Sequence, residues 1–242
     1  MPLRKAPRIA FLGMFSAGKS RLINALLGQE ILPVSPNPST PIPILVRQGG
    51  GPSFVLVFRD GRRELHAGLD GFPQYANKCA QGYRRDVVQQ LRRIDLLLST
   101  PAGPVQMLDM PGCSDPRAIP GAWAEAITCH GVVWCTQAQP GWLDSEQAVF
   151  DSLPAHLRRN AILVITQTDK LNEDGQIEEL LEGRDLGGRF VEVLSTGLGP
   201  RASRQTADVA RLKGAIERIA AAQSQDRRGL ERAGHRTHGC DP

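Results

Sequence analysis

The chain has 242 residues, of which 41% are hydrophobic, and it carries a formal net charge of +4. This length suits one large α/β domain with a tail, and the apolar fraction suffices to fill a core. The sequence contains no uninterrupted apolar run of about 18 residues, the length that a transmembrane helix needs. Five cysteines are an odd number at spacings that match no zinc motif, so we expect reduced thiols and a soluble, cytoplasmic protein.

Much of the positive charge lies at the two ends of the chain. The front reads "LRKAPR", and the last twenty residues contain "DRRGLERAGHRTHG". Basic ends of this kind can contact RNA or acidic lipid, but the tail lacks aromatic residues for base stacking, which favours a solvated tail. The sequence therefore predicts a folded domain at residues 1–222 and a basic, disordered tail at residues 223–242.

The first elements in chain order are a strand, a glycine-rich turn and a helix. The short apolar run "RIAFL" ends at a glycine, and "SRLINALLG" has apolar residues at helical spacing before its own terminal glycine. Residues 31–43 contain five prolines, which predicts an extended loop. A strand is expected to begin after this loop, at Ile44.

The rest of the chain predicts strands that alternate with helices. Strands are expected at "SFVLVF", "RRIDLLLST", "VQMLDMPG", "GVVWCT", "AILVITQT" and "RFVEVLST". Helices are expected over most of residues 71–90, at 123–128, from 144 onward, at 175–183 and at 208–222. This alternation indicates the α/β class, with a mostly parallel central sheet and helices on both faces.

The turn after the first strand has the form of a phosphate-binding loop. It matches G-x-x-x-x-G-K-[ST] at Gly13, Gly18, Lys19 and Ser20. The glycines let backbone N–H groups converge on phosphate oxygens, the lysine reaches the terminal phosphates, and the serine hydroxyl is a ligand for Mg²⁺. A strand before the loop and a helix after it are the context that this motif requires.

A second motif predicts that the nucleotide base is guanine. "ITQTDKL" places Thr166, Gln167 and Asp169 at the end of a strand in a [NT]-[KQ]-x-D arrangement. An aspartate there can accept hydrogen bonds from both N1–H and the exocyclic amine of guanine, a pair that adenine does not offer. Ser195 and Thr196 follow a later strand, where a backbone N–H can meet the guanine O6 atom.

Two further segments fit the sensing of the γ-phosphate. "MLDMPG" places Asp109 at a strand end, where it can hold Mg²⁺ through water, and the Gly112 N–H can bond the γ-phosphate. Thr40 lies between the phosphate loop and Asp109, and its hydroxyl can complete the Mg²⁺ shell, with Ser39 as the substitute. These motifs, in this order, indicate the P-loop GTPase fold and a Mg²⁺-dependent switch that hydrolyses GTP.

The chain resembles a GTPase domain of the dynamin-like superfamily, of a small bacterial type, over roughly residues 8–200. "SAGKS" is similar to the phosphate loop of that family, "ILPVSPNPSTPIP" to its proline-flanked switch segment, and "DMPG" to its D-L-P-G motif. "GVVWCTQAQPGWLDSEQ" resembles the family's strand and loop before a helix that begins with Ser145 and Glu146. The resemblance implies that GTP drives two such domains together across their nucleotide faces, which stimulates hydrolysis.

The motifs and the resemblance together define the candidate site. The resemblance implies a monovalent cation, K⁺ or Na⁺, near Ser16. The candidate nucleotide-binding residues are Gly13, Phe15, Ser16, Ala17, Gly18, Lys19, Ser20, Arg21, Thr166, Gln167, Asp169, Lys170, Ser195 and Thr196. The candidate catalytic residues are Ser16, Lys19, Thr40 and Gly112, and the candidate Mg²⁺ ligands are Ser20, Thr40 and Asp109.

Three residues depart from the family pattern. Phe15 stands where dynamins have a water-orienting glutamine, and Cys113 stands where small GTPases have their catalytic glutamine. Neither side chain can orient a water molecule, so we expect slow intrinsic turnover. Gln167 replaces the usual lysine, which is expected to loosen guanine binding without changing the preference for guanine.

Two other functions remain open at the level of the sequence. An Era-like GTPase associated with the ribosome would use the basic ends as an RNA arm, and a GTP-binding scaffold would hardly hydrolyse its nucleotide. The favoured partners are GTP and GDP together with a second copy of the chain or a dynamin-like protein. Membrane contact is expected to be peripheral and made through such a partner, and nucleic acid is not the expected ligand.

Overall fold

The computed structural model describes residues 6–34, 41–99, 103–113, 121–171, 186–197 and 205–236. Nine strands are present in this part of the chain: β1 (Arg8–Gly13), β2 (Ile44–Gln48), β3 (Ser53–Phe58), β4 (Arg63–Ala67), β5 (Leu91–Leu98), β6 (Gln106–Asp109), β7 (Gly131–Gln137), β8 (Ala161–Thr166) and β9 (Glu192–Thr196). They form one sheet in the order β4-β3-β5-β2-β6-β1-β7-β8-β9.

Seven helices accompany these strands among the described residues. They are α1 (Lys19–Leu27), α2 (Phe72–Ala80), α3 (Arg85–Gln90), α4 (Ala122–Ile127), α5 (Asp144–Asp151), α6 (Ala155–Arg158) and α7 (Gln205–Arg236). Two 3₁₀ turns, Thr168–Lys170 and Leu186–Gly188, lie between β8 and β9 in the chain. None of the described helices combines the length and the apolar character that a membrane crossing requires.

The sheet has a parallel half and a mixed half. Strands β6, β1, β7, β8 and β9 run parallel to one another, whereas β2 runs antiparallel to β6, and β3 runs antiparallel to both β4 and β5. Parallel strands end at the same edge of a sheet. We call this the carboxyl edge, and it is defined by the strand ends Gly13, Asp109, Gln137, Thr166 and Thr196.

Helices cover both faces of the parallel half. A Cβ atom on Gly131 would lie 2.9 Å from Cγ2 of Ile219, so α7 packs closely on one face of β7. Trp134 points to the opposite face, where its ring lies 5.6 Å from that of Phe150 in α5. Burial of a large apolar side chain contributes about 1.5–3 kcal/mol, so these two contacts hold the layers together.

The structure confirms the predicted α/β class, with a mostly parallel sheet and helices. Sequence analysis missed β4, an edge strand whose residues alternate between exposed and half-buried. The strand predicted in "RFVEVLST" begins only at Glu192. The helix predicted at residues 175–183 lies outside the described residues.

The last helix is longer than the sequence predicted. It begins at Gln205 and continues to Arg236, so residues 223–236 are helical rather than disordered. The prediction ended the helix where its apolar periodicity ends, but glutamine, arginine and glutamate in the following residues have good intrinsic helix propensity. The division into a domain at residues 1–222 and a separate tail stays a prediction.

Candidate functional site

The phosphate loop, residues 13–20, connects the end of β1 to the start of α1. Gly13 has a φ of +139°, and a Cβ atom there would lie 2.1 Å from the carbonyl oxygen of Cys135 in β7. Gly18 has a φ of +80°, which L side chains rarely adopt. Only glycine at these two positions allows the loop to close against β7 and lead into the helix.

Lys19 lies inside this loop and is only 7% exposed. Its ammonium group donates hydrogen bonds to the carbonyl oxygens of Gly13, at 3.1 Å, and Met14, at 2.8 Å. A phosphate group is a stronger, charge-assisted acceptor than a neutral carbonyl. The side chain is therefore already placed where a phosphate between the loop and the sheet edge would meet it.

Ser20 and Asp109 are in direct contact. The Ser20 hydroxyl donates to Oδ2 of Asp109 at 2.6 Å. Asp109 is 1% exposed, and its Oδ1 atom is buried without a hydrogen-bond partner among the residues that the structure describes. Burial raises the pKa of Asp109 from 3.8 to about 6, although the Ser20 bond and the Lys19 charge act in the opposite direction.

This pair fits a magnesium ion. A buried carboxylate with an unpaired oxygen is costly unless a cation or a donor meets it, and Mg²⁺ prefers hydroxyl, carboxylate and phosphate oxygens. Ser20 and Asp109 supply two such oxygens beside the phosphate loop. The third candidate ligand, Thr40, and its substitute Ser39 lie outside the described residues.

The segment after β6 packs on the phosphate loop. A Cβ atom on Gly112 would lie 2.8 Å from Cα of Phe15, and the backbone N–H of Cys113 donates to the Gly13 carbonyl oxygen at 3.1 Å. The Cys113 thiol donates to the same oxygen at 3.2 Å, and burial raises its pKa. Cys113 thus braces the loop and does not present a group for orienting water.

Residues 166–170, the predicted base-reading segment, also touch the phosphate loop. Gln167 has a φ of +61°, and its side-chain amide donates to the Ser16 carbonyl oxygen at 2.9 Å, while Lys170 donates to its Oε1 atom. Asp169 lies in the 3₁₀ turn that follows and is exposed. The Asp169 carboxylate is therefore accessible at the carboxyl edge, where a base can reach it.

Strands β8 and β9 set the position of this turn. Thr166 and Thr196 are neighbours in the sheet register, and the Thr166 hydroxyl lies 3.0 Å from the Ala17 carbonyl oxygen. The following residue, Gly197, is a site residue that the sequence analysis missed. A Cβ atom on Gly197 would lie 2.9 Å from the Asp169 nitrogen, so a side chain there would displace the base-reading turn.

Known proteins resemble parts of this chain. A family model described as "Dynamin family" matches residues 9–120. The chain is 26% identical to Dynamin-like protein 2 of Campylobacter jejuni over 71% of its own length, and 28% identical to the Bacterial dynamin-like protein of Nostoc punctiforme over 54%. It is 39% identical to Dynamin-like protein A of Bacillus subtilis over 34%.

Solved structures show the same fold. A structure described as an oligomerised bacterial dynamin pair, which provides a mechanism for the long-range sensing and tethering of membranes, covers 90% of this chain with a TM-score of 0.62 and 20% identity. These likenesses make the chain similar to a dynamin-like G domain. The chain spans 37% of that structure's chain and 27%, 20% and 6% of the three curated relatives.

Glu146 is a buried residue whose role the sequence did not define. It is 2% exposed and accepts hydrogen bonds from Trp134 Nε1 at 3.2 Å, Thr136 Oγ1 at 2.9 Å and the Leu143 backbone N–H at 3.3 Å. Burial raises its pKa. Glu146 thereby ties the start of α5 to strand β7, which runs beside the phosphate loop.

The structure brings most of the predicted site together at the carboxyl edge. The phosphate loop, Asp109, Gly112 and the 166–170 segment contact one another through the bonds described above. Ser16 and Arg21 are exposed, and Ser16 has a φ of +60°. Ser195 is half-buried, whereas the Thr196 hydroxyl is buried without a hydrogen-bond partner.

Proposed function

We propose that this G domain binds GTP with Mg²⁺, hydrolyses it to GDP and phosphate, and acts as a nucleotide-dependent dimerising switch. The observation that carries the proposal is the buried Asp109 carboxylate, which has one oxygen on Ser20 and the other without a partner among the described residues. The second oxygen is therefore a candidate cation ligand. A phosphate-bound magnesium ion supplies the charge that such a ligand requires.

In this proposal, different residues of the site bind the phosphates and the base. Lys19 and the backbone N–H groups of the phosphate loop bind the phosphates, and the Gly112 N–H bonds the γ-phosphate. Ser20, Asp109 and Thr40 would hold Mg²⁺, which would neutralise charge that develops on the phosphate oxygens. Asp169 selects guanine, while Gln167 braces the loop through Ser16.

Intrinsic turnover is slow in this proposal. Cys113 directs both its N–H and its thiol to the Gly13 carbonyl oxygen, and Phe15 carries no polar group. The attacking water must therefore be oriented by the backbone at Thr40, by a monovalent cation near Ser16, or by a group from a partner. The preferred partner is a second copy of the chain or a dynamin-like protein that meets the carboxyl edge.

The support for a partner comes from the relatives. The two solved structures with TM-scores of 0.62 and 0.59 are described as an oligomerised bacterial dynamin pair. In our proposal, GTP brings two G domains together, and any contact with a membrane is peripheral and made through the partner. A protein of this kind would work in the cytoplasm.

The test combines nucleotide binding, hydrolysis and light scattering. Purified protein is measured with GDP, GTP and a transition-state mimic, each with and without Mg²⁺. Lys19→Ala is expected to weaken nucleotide binding at least about tenfold, because it removes a charged hydrogen-bond donor. Lys213→Ala, a change at an exposed lysine of α7, is the matched control and is expected to bind normally.

Several results would count against the proposal. Unchanged nucleotide binding by Lys19→Ala would overturn the site, and rapid hydrolysis by dilute monomer would overturn slow turnover. An absence of larger particles with the transition-state mimic would overturn the dimerising switch. Ribosomal RNA that copurifies with the protein would favour the Era-like alternative.

A further inference from the structure

Asn24 makes the most complete side-chain hydrogen-bond set among the described residues near α1. Its Nδ2 atom donates to the Leu32 carbonyl oxygen at 2.8 Å and to Glu30 Oε2 at 3.1 Å. Its Oδ1 atom accepts from the backbone N–H groups of Ile31, at 3.2 Å, and Leu32, at 2.9 Å. The side chain is 1% exposed, so all four of its hydrogen-bonding positions are used in the interior.

These bonds turn the chain back along α1. The helix ends at Gly28, whose φ of +67° reverses the chain direction. Asn24 then holds Ile31 and Leu32, and Leu32 is 2% exposed in the core. A glycine turn alone would leave the direction of the chain after α1 loosely defined. The four hydrogen bonds to the Asn24 side-chain amide fix that direction.

The anchored stretch leads directly into the proline-rich segment that carries Thr40. On the far side of that segment, Ile42 and Ile44 are buried in the core and fix the chain again. Asn24 is four residues, or about one helical turn, after Ser20, so the two side chains lie on the same face of α1. The anchor of the segment and a candidate Mg²⁺ ligand therefore belong to one rigid helix.

We infer that Asn24 is a positioning residue for the GTP-bound state, because it holds the start of the Thr40 segment at a fixed place relative to the phosphate loop. The inference rests on the proposed function. If the anchor is lost, the backbone from Gln29 to Leu32 must be ordered anew each time Thr40 engages the γ-phosphate and Mg²⁺. GDP has no γ-phosphate, and in the proposed function it contacts the phosphate loop and the base-reading turn, whereas the described bonds of the Asn24 side chain go to residues 30–32.

Asn24→Asp is the sharpest variant, because it keeps the shape and removes both donors. The ratio of affinities for a non-hydrolysable GTP analogue and for GDP, measured with Mg²⁺, is expected to fall about tenfold, as loss of one or two hydrogen bonds predicts. GDP affinity is expected to stay within about twofold of wild type. Asn77→Asp, at an exposed asparagine of α2, is the matched control.

A double variant tests the direction of one bond. In Asn24→Asp with Glu30→Gln, the amide introduced at position 30 can donate to the carboxylate introduced at position 24. Part of the lost GTP preference is expected to return, whereas Glu30→Gln alone is expected to change it little because Glu30 is exposed. A residue that serves only stability would instead lower GDP and GTP-analogue affinity together, in step with the melting temperature, and that result would overturn the inference.

Hydrogen exchange separates this inference from the proposed function. Asn24→Ala is expected to speed amide exchange in peptides that cover residues 29–34 and to leave those of β8 unchanged. If wild-type protein binds no nucleotide, the proposed function fails, and unchanged exchange at residues 29–34 would independently refute the anchor. An unchanged ratio of GTP-analogue to GDP affinity in Asn24→Asp would refute the role of Asn24 in the GTP-bound state.

Discussion

The Ser20 hydroxyl donates a 2.6 Å hydrogen bond to the carboxylate of Asp109, which joins the first turn of α1 to the end of β6. These residues are far apart in sequence, yet their contact places two oxygen ligands beside the phosphate loop. The second carboxylate oxygen has no partner among the described residues. A carboxyl group buried in this way is favourable only when it is protonated or bound to a cation.

The first prediction concerns the pH dependence of stability. The folded pKa of Asp109, about 6, lies above the ordinary value of 3.8, so the folded state prefers the protonated carboxyl. Its contribution is fully present below pH 3.8 and is lost as the pH rises through about 6. Asp109→Asn removes this loss and is expected to raise the free energy of unfolding at pH 7, without metal, by on the order of 2 kcal/mol.

The measurement is urea unfolding of both proteins at pH 5 and pH 7 with a chelator present. The difference between wild type and variant is expected to grow with pH, and a constant difference would contradict the assignment. The same variant is expected to lose the Mg²⁺-dependent part of GTP binding. Asp86→Asn, at an exposed carboxylate of α3, serves as control.

A second prediction concerns the choice of base. Asp169→Asn replaces two acceptor positions by one acceptor and one donor, so the variant is expected to bind GTP at least about tenfold more weakly. The new amide can donate to the carbonyl oxygen at C2 of xanthine, so affinity for xanthosine triphosphate is expected to rise. Competition binding with both nucleotides tests this, and an unchanged ratio would remove Asp169 from the base site.

The third prediction concerns Gly197, which has space only for hydrogen. Gly197→Ala brings a methyl group to about 2.9 Å from the Asp169 nitrogen and is expected to weaken GDP binding about tenfold through displacement of the base-reading turn. Gly188→Ala is a matched control, because no atom lies within 4 Å of its added Cβ. Equal affinity of the two variants for GDP would show that the turn tolerates the displacement.

The fourth prediction concerns Glu146, which accepts three hydrogen bonds. Glu146→Gln turns one acceptor atom into a donor that faces the N–H of Trp134 or of Leu143, and it is expected to lower the free energy of unfolding by about 1–3 kcal/mol. Thermal unfolding at pH 7 measures the loss. Glu217→Gln, at an exposed glutamate of α7, should leave the melting temperature unchanged. A similar loss in both variants would show that the buried contacts of Glu146 add little.

The sequence was sufficient to predict motifs that depend on residues close together along the chain. The phosphate loop needs glycines and a lysine at fixed spacing, and the base-reading aspartate follows a strand by a fixed number of residues, so both can be recognised before any packing is known. The fold class followed from the alternation of apolar strands with helices. Structural comparison agrees with the fold class.

The end of the last helix and the presence of β4 were harder to predict from the sequence. Apolar periodicity indicates where a helix packs, not where it ends, and α7 continues to Arg236 beyond its apolar face. Strand β4 is an edge strand with exposed residues, so its pairing with β3 rather than its own pattern defines it. Helix propensity extends α7 beyond its apolar face, and pairing with β3 makes residues 63–67 a strand.

The sequence by itself determined that this chain carries a phosphate loop, a guanine-type motif and the dynamin-like order of segments, because each depends on residues close together along the chain. Only the tertiary structure decided that Asp109 meets Ser20, that Gly197 supports Asp169 and that Asn24 holds Leu32. Those relationships depend on how strands and helices pack. Each buried polar group requires a hydrogen-bond partner. Each close backbone contact requires space that a side chain would fill.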